Sequence, residues 1–124
     1  MNDHIVKTNI INLTQHPASR EQIAAGVTDL AQKRDLEWLK STLTFDSKPT
    51  KSELEEKAAA LADFAKIYRA ALIGGAPYLM GPLESALKCK GVTPLYSFSR
   101  RMVSENVKTG EKISVFKHIG FVEA

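Results

Sequence analysis

Three short polar segments of this chain carry side chains suited to holding or processing an anion. The first is Thr14-Gln15-His16, in which the hydroxyl and amide can bind a ligand while the imidazole can take or give a proton. The second is Gly74-Gly75-Ala76-Pro77. Glycines let the backbone come close to a ligand, and the first amides of a following helix can meet phosphate oxygens. The third is Ser97-Phe98-Ser99-Arg100-Arg101, with two hydroxyls and two guanidinium groups able to clamp an anion through paired hydrogen bonds. Each segment also has a plainer use. Gly-Gly-Ala-Pro lacks the spacing of a dinucleotide fingerprint or a Walker loop and serves equally as a sharp turn. His16 before Pro17 serves equally as a capping or hydrogen-bonding residue, and Arg100-Arg101 as a solvated charge cluster. Tyr78, Tyr96 and Phe98 can stack a base, but aromatic residues at such places more often fill a core or an interface. His118 reads as a packing residue.

The elements that must position these segments follow from the pattern of apolar residues. Ile5 to Leu13 is rich in β-branched residues and predicts a first strand, closed by Pro17. Ser19 with Gln22 three residues on resembles a capping box for a short helix that Gly26 stops. Val27 to Leu30 reads as a short strand, and Leu36, Leu39 and Leu43 give Asp35 to Leu43 a helical stripe with Trp38 beside it. Thr50 to Glu53 starts the clearest helix, whose buried face is Leu54, Ala58, Leu61, Ala65 and Tyr68. The apolar run Ala70 to Ile73 reaches the glycine pair, and helix and strand compete for the junction before it.

Pro77 and Pro82 suit the first turn of the next helix, which Gly91 ends. Val92 to Ser99 then reads as a strand, and Val103 to Lys108 with Glu111 to His118 flank Thr109-Gly110 in the manner of a separate antiparallel hairpin. Strands alternating with helices predict one three-layer α/β domain over residues 1–124, with a mainly parallel sheet and a C-terminal antiparallel β-hairpin. In such sheets ligands collect beyond the carboxyl ends of the strands. All three polar segments fall at that edge, which predicts one site for a small anionic ligand.

Composition bounds the function further. The net charge is +3, from 17 basic and 14 acidic residues. This is not the footprint of a duplex nucleic-acid binder, although Lys90, Arg100, Arg101, Lys108, Lys112 and Lys117 tip the last third towards positive. The single Cys89 forms no internal disulfide and reads as a buried or half-buried thiol; no partners at ligand spacing suggest a metal, and no cofactor is expected. No apolar run is long enough for a membrane span, and the N-terminus lacks the order of a signal peptide, so no membrane contact and a cytoplasmic location are expected.

Two stretches, INLTQHPASREQIAAGV and LIGGAPYLMGPLESALKCKGVTPLYSFSRR, resemble small stand-alone proteins of the CRISPR-associated Rossmann-fold superfamily. The likeness runs from the N-terminus to about Ala25 and over Ala70 to Arg101, while the middle helices match in order only. It implies a Rossmann-like homodimer with a symmetric pocket for cyclic oligoadenylate, a nucleotide messenger of antiviral defence. In the ring-nuclease members it implies metal-independent cleavage by attack of a ribose 2′-hydroxyl. Carried over to this chain, Thr14, Gln15, Gly74, Gly75, Ala76, Ser97, Ser99 and Arg101 would hold the ligand. His16 would assist proton transfer, and Arg100 would steady the phosphorane. A sensor that binds without cleaving uses the same edge; a structural subunit from a mobile element, its hairpin extending a partner's sheet, is the reading from another class.

Overall fold

The computed structural model describes residues 9–124 as a five-stranded sheet flanked by helices. His4 and the Ile5 to Thr8 part of the expected first strand lie outside the described residues. In chain order the elements are β1 (Ile10–Asn12), α1 (Arg20–Ala24), β2 (Val27–Thr28), α2 (Lys33–Leu43), α3 (Lys51–Ala65), β3 (Ala70–Leu72), α4 (Pro77–Cys89), β4 (Thr93–Glu105) and β5 (Lys112–Glu123). The strands lie in the order β2-β1-β3-β4-β5; the first four are mutually parallel and β5 runs antiparallel to β4.

Alternation along the short central strands divides the core in two, because successive residues point to opposite faces. Ile11, Leu13, Ala71 and Ile73 face the buried sides of α2, α3 and α4, where Leu39, Leu61, Leu83 and Leu87 meet them. Trp38 and Phe64 close this layer with ring centroids 5.2 Å apart. Ile10, Val27, Ala70 and Leu72 face the other way and are covered by Ala18, Leu95 and Phe121. Among the described helices only α1 crosses this face, and this five-residue helix buries none of its own residues. The second helical layer is therefore thin.

Local signals account for most of the boundaries. Ser19 with Gln22, and Thr50 with Glu53, form reciprocal capping boxes at the starts of α1 and α3. The contested junction after α3 is a turn, in which the Tyr68 amide donates to the Ala65 carbonyl, and Ala70 begins a strand. Pro82 departs from expectation. The helix starts at Pro77, so Pro82 lies inside it, where its ring removes one amide from the ladder. Cys89 also departs, since it ends α4 as an exposed thiol.

The largest departure concerns the C-terminal third. The predicted strand Val92 to Ser99 and the predicted first arm of the hairpin are one continuous strand of 13 residues, β4, paired with the 12 residues of β5 through a register shift at Phe98/Ser99. The hairpin turn does fall at Thr109-Gly110, with Gly110 at φ 72°. Arg100-Arg101 reads as a strand end because two adjacent cations break the apolar pattern. Those cations are tolerated because this half of β4 is open to water.

Candidate functional site

The connections at the carboxyl ends of β1 and β3, with the stretch of β4 beside them, surround a crevice of about 570 Å³. Thr14, Gln15, His16 and Pro17 supply the wall after β1, and Leu72 to Gly75 supply the wall after β3. Tyr96 and Ser97 of β4 and Gln22 of α1 complete it. The sequence after β1 passes to α1 on one face of the sheet, whereas the sequence after β3 enters α4 on the other. Adjacent connections that part in this way leave an open gap at the sheet edge, the switch point at which open α/β sheets take their ligands.

The wall after β1 is built by a residue that sequence reasoning passed over. Asn12 is 4% exposed, and its amide makes four hydrogen bonds. Its Nδ2 donates to the His16 carbonyl at 2.8 Å and to Asp29 Oδ1 at 2.7 Å, while its Oδ1 accepts from the Thr14 amide at 2.9 Å and the Thr14 hydroxyl at 2.7 Å. Asp29 also receives the Ala18 amide, which ties the far end of the same loop to β2. An asparagine ending an apolar strand, just ahead of a polar turn, was the available signal, because a buried amide must find partners for both its ends. The imidazole of His16 makes no hydrogen bond to any described residue and stands exposed at the crevice.

On the second wall, Gly75 takes φ 142°, a conformation that side chains with a Cβ rarely adopt, so this turn requires glycine. A Cβ at Gly74 would meet Thr14 Cγ2 at 3.6 Å, an ordinary contact that shows how closely the two walls approach. Ala76 caps α4 behind the glycines and does not line the crevice.

The third wall is a hydrogen-bonded row across β4 and β5. Ser97 Oγ accepts from Gln22 Nε2 at 3.3 Å, and lies 2.9 Å from His118 Nδ1 and 3.4 Å from Ser99 Oγ. The His118 ring rests on Phe121 with centroids 4.7 Å apart. Gln22 thus has two roles, since its Oε1 closes the capping box by accepting the Ser19 amide at 2.9 Å. Tyr96, on the opposite face, donates to Glu84 Oε2 of α4 at 2.5 Å. Burial, followed by that hydrogen bond and the carboxylate charge, pushes the Tyr96 phenol up to about 12.

Of the residues expected from sequence, Thr14, Gln15, His16, Gly74, Gly75 and Ser97 come together, with Ser99 one hydrogen bond away. Arg100 and Arg101 do not join them. They sit within the exposed part of β4, Arg100 opposite Lys117 and Arg101 opposite Phe116, with Arg101 Nε donating to Ser114 Oγ. The crevice is consequently lined by hydroxyls, amides, one imidazole and glycine backbone beside apolar Pro17, Leu72 and Ile73, with no lysine or arginine among the described lining residues. Among the described residues, no three His, Cys, Asp or Glu side chains gather to hold a metal ion. None of the described helices is long and apolar enough to cross a membrane.

The strand order and the crevice define an open-sheet α/β protein with its candidate site at the switch point. The chain belongs to the uncharacterized MJ1673 family, whose profile matches residues 8–122. Neither the curated proteins nor the solved structures give a significant match.

Proposed function

We propose that the crevice binds a nucleotide, and that cyclic oligoadenylate is the class of ligand to test first. One observation carries the binding reading: the Thr14–Pro17 and Gly74–Gly75 turns face one another where the connections part to opposite faces of the sheet. The volume lies within the range of small-molecule sites. Glycine amides and the Thr14 and Ser97 hydroxyls suit phosphate and ribose oxygens, and the sequence likeness described above supports the choice of ligand.

Cleavage would proceed by attack of a ribose 2′-oxygen on its adjacent phosphorus. The 2′-hydroxyl gives up its proton, the bond from phosphorus to the 5′-oxygen breaks, and that oxygen takes a proton as a 2′,3′-cyclic phosphate forms. His16 is the group at the crevice suited to moving those protons, and the turns would hold the attacking oxygen in line. A specific observation favours a second reading, a sensor that binds without turnover. The lining holds no cation to stabilise a phosphorane, and the His16 ring has no described partner to orient it.

Incubating the purified protein with labelled cyclic tetra- and hexa-adenylate separates the readings. Linear products ending in a 2′,3′-cyclic phosphate support cleavage; retention of the intact ring on the protein supports sensing. Absence of binding to either ring by calorimetry defeats both.

A further inference from the structure

Beyond the body of the domain, β4 and β5 continue as a two-stranded arm, since β3 pairs with β4 only as far as Leu95. A lone two-stranded ribbon is marginal in water, and one that is apolar on both faces invites a partner. Between Phe98 and Ile119, eight large apolar side chains are at least two-fifths exposed, with Phe116 at 77%. At about 100 Å² each they amount to roughly 800 Å² over the two faces, about one partner's share of a standard interface.

Charge narrows the choice of occupant. From Ser97 to His118 the arm carries five basic and two acidic residues, and the other twelve basic residues of the chain are matched by twelve acidic ones. The whole net charge of +3 therefore resides on the arm. Two arms laid face to face would set Arg100 and Lys117, already cross-strand neighbours, against a second such pair. An arm laid against a charge-balanced body meets no such repulsion. Apolar side chains occupy both faces, with Met102 on one and Val103 on the other by strand alternation, so covering them requires the arm to be clasped.

We propose that two copies of this chain exchange these arms, each arm lying across the other copy's switch-point crevice and presenting Arg101 to it. The crevice lacks a cation of its own, and the arm that leaves its rim at Ser97 holds the unmatched ones. Arg101 lies four residues beyond Ser97, about 13 Å along the strand, and by alternation on the same face. When two crevices face one another across a twofold axis, that reach carries it from its own rim to the opposite one. The role of Arg101 rests on the anion-site reading above; the exchange of arms does not.

Two measurements test the inference without any nucleotide. In sedimentation at 100 μM the wild-type chain is expected at twice the chain mass, and Val115→Glu/Phe116→Glu at the single mass with an unchanged far-UV spectrum. A wild-type monomer, or a dimer indifferent to these substitutions, overturns the exchange. In a Cys89→Ser background, Gln15→Cys/Arg101→Cys is expected to form a covalent dimer on mild oxidation, whereas each single cysteine stays monomeric. Cross-linking by Arg101→Cys alone shows arm meeting arm and overturns the exchange. Absence of any cross-link in the double variant overturns delivery of Arg101 to the opposite crevice. Failure of the nucleotide reading leaves all of these results standing.

Discussion

Ser97 Oγ and His118 Nδ1 lie 2.9 Å apart across β4 and β5, and this bond decides which way the Ser97 hydroxyl points. When Nδ1 accepts, the serine proton is committed to the histidine; when Nδ1 donates, the hydroxyl is free to donate into the crevice. An anion would draw the pair into the second arrangement.

Ser97→Ala and His118→Ala should therefore each weaken the nucleotide binding proposed above by about five- to tenfold, the worth of one hydrogen bond of this kind. The double variant should lose little more than either single one, because the two act as a unit. Titration calorimetry with cyclic tetra-adenylate measures all three, and fully additive losses would refute the coupling.

Asn12 shows how a fold-determining polar residue hides in an apolar strand. Its four hydrogen bonds hold the Thr14–His16 turn and reach Asp29. Asn12→Ala should cost about 1–3 kcal/mol in urea unfolding, since it strands half-buried backbone and carboxylate partners. Asn12→Asp should be no rescue, because a carboxylate cannot donate to Asp29. Wild-type stability in Asn12→Ala would show that water replaces the amide.

Much of this architecture is legible in the residues. The capping pairs Ser19/Gln22 and Thr50/Glu53, the alternating strands and the glycine turns place the sheet edge, and with it Thr14 to His16, Gly74, Gly75 and Ser97. What stays hidden depends on register. Nothing local to Arg100 says that β4 runs on to Glu105, since two cations end an apolar run whether the strand stops or merely leaves the core. Likewise, the pairing of Ser99 with His118 passes through a shifted register, so the distance from Ser97 to His118 follows from no spacing in the sequence.

Gly75 tests the turn itself. At φ 142° an added Cβ strains the backbone although its nearest neighbour, Met80 Cε, is 3.9 Å away, so the cost is conformational rather than steric crowding. Gly75→Ala should lose about 1–3 kcal/mol, whereas Gly74→Ala, whose Cβ meets only Thr14 Cγ2, should lose less than about 1 kcal/mol. Chemical denaturation of the pair checks the order, and equal losses would contradict the geometry.

Tyr96 gives stability a pH signature at the alkaline end. The folded state holds the phenol protonated up to about 12, against 10.0 for the ordinary group, through burial and the Glu84 hydrogen bond. Between those values the unfolded chain has lost the proton that the folded chain keeps, so stability is fully present below pH 10 and is lost as pH rises towards 12. Tyr96→Phe removes this proton and should flatten that part of the decline. Urea midpoints at pH 9 and pH 11 supply the comparison: the difference between them should be smaller in Tyr96→Phe than in the wild type. Identical slopes would mean that the Tyr96 phenol ionises alike in both states and that its contact with Glu84 does not hold the proton.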